Sequence, residues 1–210
     1  MTTDAGWQPL LWPTAPIGEQ FASWSSATRR VLGWGAWVDV VPSWLTGADD
    51  LFHALRRDVP WQADERQMYD SMVAVPRLTA WFSDAARVGQ PLIPRCRDQL
   101  NEHYAHTNDP LVSAGLCLYR DGSDSVAWHG DRIGRGRSED TLVAVLSLGS
   151  ARQFLLRPRD GGPALRFTVG HGDLLVMGGS CQRTWDHAVP KTRRHVGPRI
   201  SVQFRPRGVA

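Results

Sequence analysis

From about residue 112 onward the chain breaks into short β-rich runs separated by turn residues, a pattern that restricts it to a sandwich or barrel. Candidate strands fall at 115–120, 126–129, 141–149, 152–157, 164–169, 173–177, 183–187 and 199–205. Asp121-Gly122, Asp160-Gly161-Gly162 and Met177-Gly178-Gly179-Ser180 provide turns between them. Two facing sheets with eight main strands and a cavity between them make a double-stranded β-helix, or jelly roll. Ahead of this region lies a short strand at 38–41, then a loop at 42–50 leading into a helix capped by Thr46 or Asp49. That helix carries Leu51, Phe52, Leu55 and Val59 on one face and stops before Pro60. A second helix is expected over 94–104, where Cys96, Leu100 and Tyr104 recur at four-residue spacing. The fold class expected is α+β, a jelly-roll core with N-terminal helices buttressing one sheet.

A chain of 210 residues can bury one sizeable core. With 42% hydrophobic and 21% charged residues it falls among globular proteins, not disordered ones. No apolar run approaches the roughly 18 residues of a membrane span. The start, Met1-Thr2-Thr3-Asp4-Ala5-Gly6-Trp7, lacks the basic and apolar blocks of a signal peptide, so the expectation is a cytoplasmic protein without a membrane partner. Cys96, Cys117 and Cys181 are too scattered for a zinc finger or a disulfide framework. A net charge of +3 is too mild to demand a polyanionic partner. The distribution says more: Arg132, Arg135 and Arg137, then Arg152, Arg157, Arg159 and Arg166, then Lys191, Arg193 and Arg194 cluster along the β-rich half. These segments either surround one mouth and attract a polyanion or are solvated loop arginines.

The tripeptide His-Gly-Asp occurs twice, at His129 to Asp131 and at His171 to Asp173. Residues i and i+2 on an extended segment point the same way, so either copy presents an imidazole and a carboxylate together. Distance to a third ligand separates them. Between Asp173 and His187 there is room for little more than one hairpin, whereas several strands fit between Asp131 and His187. A jelly roll needs the longer path to bring separated strands side by side. His129, Asp131 and His187 are therefore assigned to a metal, and His171 to a turn where it hydrogen-bonds backbone. Two imidazoles and one carboxylate are the facial triad of a non-haem Fe(II) oxygenase, with one face of the metal left open.

Arg199-Ile200-Ser201-Val202-Gln203-Phe204-Arg205 alternates as a strand does, which puts Arg199, Ser201, Gln203 and Arg205 on one face. An inward guanidinium is costly without a partner, and a carboxylate held by its fork is the natural one. A dicarboxylate that also chelates the metal meets that need.

These residues resemble the AlkB family of Fe(II)/2-oxoglutarate-dependent dioxygenases, over about residue 38 to the end. The resemblance rests on Pro76-Arg77-Leu78-Thr79-Ala80-Trp81-Phe82, on Leu118-Tyr119-Arg120-Asp121-Gly122, and on Asp124 to Asp131. Ser147-Leu148-Gly149, His171 to Met177, His187-Ala188-Val189-Pro190-Lys191 and the run from Pro198 to Arg205 complete it. It implies an N-terminal extension over 1–37 and one domain over 38–210, with 38–111 as the helical and substrate-lid part and 112–210 as the jelly-roll core. It further implies Fe(II) on His129, Asp131 and His187, with 2-oxoglutarate as cosubstrate and O2 as oxidant. Arg199 would pair with the distal carboxylate of 2-oxoglutarate and Arg205 with the metal-proximal one, and Tyr119 would contact the cosubstrate. The implied reaction removes methyl groups from N-alkylated bases of the 1-methyladenine and 3-methylcytosine type in single-stranded DNA or RNA, releasing succinate, CO2 and formaldehyde.

The target base must leave its stack to reach a buried metal, so an aromatic or imidazole face is required. Trp81, Phe82 and His129 are the candidates, and Arg77 is a candidate contact to substrate backbone or base edge. Three departures from the family pattern stand out. Arg132-Ile133-Gly134-Arg135-Gly136-Arg137 replaces acidic residues that would meet the methylated base, and Cys117 and Ser201 replace asparagines of the cosubstrate pocket. Two alternatives are the same oxygenase chemistry on a protein or small molecule, and a non-catalytic nucleic-acid-binding jelly roll. No obligate protein partner is indicated.

Overall fold

The computed structural model describes residues 20–68, 71–107 and 109–209. The N-terminal part holds β1 (Thr28–Val31), β2 (Trp37–Val41), α1 (Ala48–Asp58), β3 (Gln62–Met68), β4 (Ser71–Phe82) and α2 (Leu92–His103). Then come β5 (Leu111–Tyr119), β6 (Val126–His129), β7 (Val143–Gly149), β8 (Arg152–Pro158), β9 (Leu165–Val169) and β10 (Leu174–Gly178). A four-residue helix, α3 (Cys181–Thr184), leads directly into β11 (Trp185–Val189), and β12 (Arg199–Pro206) closes the chain.

The strands form two antiparallel sheets, an eight-stranded one ordered β1-β2-β10-β7-β12-β5-β4-β3 and a four-stranded one ordered β6-β11-β8-β9. Alternation along the strands divides their side chains between two cores. Between the sheets lie Val143, Val145, Leu175 and Met177 of the large sheet against Phe154, Leu156, Trp185 and Val189 of the small one. On the outer face of the large sheet, Leu146, Leu148, Leu116 and Ile200 pack under Leu51, Phe52 and Leu55 of α1 and Ile93, Cys96 and Leu100 of α2. This is a jelly roll with two helices buttressing one sheet, the architecture expected.

α1 places its apolar residues on one side, with Asp49 and Asp50 in its first turn and Arg56 and Arg57 in its last, both complementing the helix dipole. Its cap differs from expectation. Gly47, left-handed at φ 66°, takes the N-cap position and neither Thr46 nor Asp49 caps the helix. Asp49 instead meets His171, with Oδ1 3.1 Å from Nε2.

Two differences matter for the site. The stretch from Gln62 to Phe82, inside the part expected to be helical, is a long hairpin that extends the large sheet, with β4 paired to both β3 and β5. The strand expected at 183–187 starts later, because Cys181 to Thr184 first make one helical turn. β1 pairs with β2 across residue 37, so the described end of the extension joins the large sheet. Residues 1–19, the start of the Trp- and Pro-rich extension, lie outside the described residues. Trp24 stacks on His103 of α2 at 3.7 Å between ring centroids. Among the described residues no helix is long and apolar enough to cross a membrane.

Candidate active site

β6 is a short edge strand held against β11, with His129 directly opposite His187. A bulge between His187 and Val189 gives β6 one extra residue there, so Trp128 and Ala127 turn outward while both histidines face the space between the sheets. The imidazole centroids are 4.2 Å apart. Asp131 follows in a turn closed by the Arg132 N–H donating to the Gly130 carbonyl at 2.8 Å. Ligand atoms from His129, Asp131 and His187 all lie within 4.8 Å of one another.

Each donor is prepared for a cation. His129 Nδ1 lies 2.9 Å from the Ala127 carbonyl and donates to it, which leaves the Nε2 lone pair facing Asp131 Oδ1 at 3.8 Å. His187 is buried beneath the ring of Phe154, and its Nδ1 has no hydrogen-bond partner. Burial, reinforced by the neighbouring His129, pushes the His187 imidazole down to about 3, so it is neutral and able to ligate at physiological pH. For Asp131 burial acts upward, but the Arg205 guanidinium and the two imidazoles outweigh it and hold the carboxyl well below the usual range. Arg205 Nε donates to Asp131 Oδ2 at 2.8 Å, which orients Oδ1 toward the histidines.

β12, whose Arg205 holds Asp131, also presents Arg199, 1% exposed, opposite Tyr119 of β5 and Gly149 of β7. Arg199 Nε donates to Ser147 Oγ at 2.9 Å, while both terminal nitrogens are buried without a partner. Burial presses this guanidinium below its ordinary pKa. A buried cation with two open donors in a fork has the shape to take a carboxylate. Tyr119 lies between two guanidiniums, with Arg199 at 5.2 Å and Arg152 at 5.6 Å from its ring centroid. Burial is the main cause that pushes its hydroxyl up to about 12, so it stays a neutral donor.

The substrate candidates separate. Trp81 lies on the same face of β4 as Arg77, is 52% exposed, and has Arg205 5.7 Å from its ring centroid. Arg77 donates to the Ser125 carbonyl at 3.3 Å, and its Nε is buried without a partner. Phe82 is a correction: one residue beyond Trp81, it points to the opposite face and packs into the core beneath the helices. Alternation along β4 excludes both from sharing one pocket. The basic loops are partly neutralised, since Arg132 pairs with Asp186 at 2.8 Å and Arg135 with Asp109 and Glu139. Arg193 and Arg194 stay exposed without an acidic partner among the described residues. Ile133, in the loop after Asp131, is 73% exposed.

Sequence reasoning missed three supporting residues. Ser147 holds Arg199. Gln182 Oε1 accepts the Asp131 N–H at 2.9 Å. Arg152, 3% exposed, donates to the carbonyls of Asp121, Asp124 and Pro190, which ties the loop before β6 to the exit of β11. All three act through partners distant in sequence, so although Ser147 lies in a family-like motif and Arg152 in a basic segment, nothing local marks these roles.

A jelly roll that carries two histidines and a carboxylate within ligand reach of one another, with a buried arginine fork left open, fits a mononuclear oxygenase class by fold and donor set. A family model described as the 2OG-Fe(II) oxygenase superfamily matches residues 46–205. The human Alpha-ketoglutarate-dependent dioxygenase alkB homolog 3 is 32% identical over 202 residues, covering 86% of this chain and 67% of that protein. Its bovine counterpart is 35% identical over 77% of this chain. The chain spans 62% of that bovine protein's length. The mouse DNA oxidative demethylase ALKBH2 is 28% identical over 75% of this chain and 74% of its own. Among solved structures, OsALKBH1 superposes with a TM-score of 0.56 at 13% identity over 85% of this chain and all of that one, a likeness of fold. The chain belongs to the 2OG-Fe(II) oxygenase superfamily and, within it, to the AlkB family. Fe(II), 2-oxoglutarate and O2 are the metal and cosubstrates of that superfamily, and the donor set and the unpartnered Arg199 fork fit them.

Proposed function

We infer that this protein oxidatively demethylates N-alkylated bases in single-stranded DNA or RNA. His129, Asp131 and His187 hold Fe(II), Arg199 anchors the distal carboxylate of 2-oxoglutarate, and Tyr119 lines its pocket. The observation that carries the reading is Arg199 itself, a buried guanidinium with two open nitrogens on the same strand face as Arg205, which grips Asp131 of the three-ligand cluster. A buried charge is tolerated when paired, and the dicarboxylate supplies the pair. The nucleic-acid substrate rests on the relatives, one of which is named a DNA oxidative demethylase. No obligate protein partner is needed for this chemistry, and the cytoplasm suits it.

When bound, Fe(II), 2-oxoglutarate and O2 supply the oxidising power that hydroxylates an N-methyl carbon. The chain's own residues do the positioning. Arg205 restrains Asp131 through Oδ2, and its remaining nitrogens would be free to hold the metal-proximal carboxylate of 2-oxoglutarate when it is bound. Trp81 offers an exposed ring on which an extruded base stacks, at about 1–3 kcal/mol per base. Arg77 steadies the loop before β6 through Ser125. The hydroxymethylated nitrogen then loses formaldehyde, which restores the base.

The test is mass spectrometry of single-stranded oligonucleotides carrying 1-methyladenine or 3-methylcytosine after incubation with protein, Fe(II), 2-oxoglutarate and O2. Methyl loss is expected with the unmodified protein and not with Asp131→Ala. Succinate formation without any methyl loss would move the chemistry to a protein or small-molecule substrate. Absence of both signals would reject the oxygenase reading.

A further inference from the structure

β6 carries His129 and leads directly to Asp131, yet it is an edge strand paired at only two positions, His129 with His187 and Val126 with Val189. A strand so weakly held does not fix a ligand loop unaided, because edge residues fray most readily. The loop is held from the side by Gln182, 1% exposed in α3. Its Oε1 accepts the Asp131 N–H at 2.9 Å, and its Nε2 points to Met177 Sδ at 3.6 Å, which fixes the amide with its oxygen toward Asp131. The backbone of Gln182 approaches as well: a Cβ on Gly130 would stand 2.5 Å from the Gln182 carbonyl oxygen. Gly130 is therefore the residue that lets the ligand turn lie against α3. Gln182 also stands five residues before His187 on one short segment, so it links the Asp131 loop to the strand that carries the other buried ligand.

We propose that Gln182 is a positioning residue for metal uptake, acting through the Asp131 main chain to hold the carboxylate beside His129 and His187. It touches neither the metal nor the cosubstrate. With Arg205 restraining Oδ2 from the opposite side, Asp131 is gripped at its amide and at its carboxylate. Loss of the amide acceptor leaves a buried N–H unpaired and lets the ligand loop drift, while the Arg199 end of the pocket stays as it is. The proposal rests on the assignment of His129, Asp131 and His187 to the metal.

Calorimetric titration of the whole protein with Mn(II), which needs no turnover, tests it. Gln182→Met keeps length and burial but removes the acceptor. It is expected to weaken Mn(II) binding by about 10- to 100-fold, the usual range for outer-shell partners of metal ligands. Binding of 2-oxoglutarate at saturating Mn(II) is expected to be unchanged. Gln182→Glu restores an acceptor oxygen at the same reach and should recover Mn(II) affinity. Should the methionine variant fail to fold, Gln182→Asn, whose oxygen falls one methylene short, should show the same selective loss. Equal Mn(II) affinity in variant and unmodified protein would overturn the role of Gln182 alone. Parallel loss of Mn(II) and 2-oxoglutarate binding would overturn it too, as a general loosening. An unmodified protein that takes up no Mn(II) would overturn the metal assignment, and the inference with it.

Discussion

The same tripeptide, His-Gly-Asp, occurs twice in this molecule and meets opposite fates. In His171-Gly172-Asp173 every valence is consumed by protein. His171 Nδ1 accepts the Gly149 N–H at 2.8 Å and its Nε2 meets Asp49. Asp173 accepts the N–H groups of Ser43 at 2.8 Å and Gly170 at 2.7 Å. In His129-Gly130-Asp131 the protein orients the side chains but leaves lone pairs open, with His129 Nε2 and Asp131 Oδ1 both turned toward His187. Even the glycines differ in purpose. Gly172 adopts φ +79° beneath the Leu45 carbonyl, whereas Gly130 is needed for its closeness to Gln182. Identical residues make a brace where backbone donors point at them and a ligand set where another imidazole does.

The sharpest way to break this contrast is a pair of aspartate substitutions. Asp131→Ala should abolish Mn(II) binding measured by calorimetry, while Asp173→Ala should leave it intact. A metal lost in the second variant and kept in the first would reverse the assignment. Next in size, Arg199→Met should leave the metal bound but weaken 2-oxoglutarate by about 2–5 kcal/mol, as for one partner of a buried charge pair. Normal cosubstrate affinity in that variant would remove Arg199 from its role.

A smaller effect belongs to the brace. Asp173→Ala strands two backbone N–H groups and should cost about 1–3 kcal/mol for each that stays buried, read as a lower Tm. An unchanged Tm would show that the brace carries no stability. The smallest is a pH effect. Burial chiefly lowers the His171 pKa below its ordinary 6.5, against the pull of Asp49 and Asp173. The unfolded chain therefore takes up a proton below about pH 6.5 that the folded one resists. Stability contributed by neutral His171 is full above that pH and declines as pH falls toward the lowered folded value. Replacing His171 by Asn should flatten the fall of Tm between pH 7 and 5; an equal slope in both proteins would refute it.

Much of the fold was legible because strand alternation is a local property. Arg199 and Arg205 share a face of β12 for the reason that all residues two apart do, and the run from Val126 to His129 matches its strand residue for residue. The β3–β4 hairpin was not legible. Gln62-Ala63-Asp64-Glu65-Arg66-Gln67-Met68 is composed largely of good helix formers, and pairing with β4 overrides that preference. The turn of helix at Cys181 was likewise hidden behind Gly178-Gly179-Ser180, which signals a turn and no more. Phe82 went astray because a motif groups neighbours that a strand sends to opposite faces.

By itself the sequence determined which residues could be ligands and how far apart along the chain the two halves of the site must lie, because side-chain chemistry and strand period are written residue by residue. Only the tertiary structure decided which His-Gly-Asp is open. It also decided that Arg205 grips Asp131, that Ser147 holds Arg199, and that Gln182 and Arg152 secure the ends of β6. Those choices depend on which backbone groups and guanidiniums arrive from strands that meet only when the two sheets close.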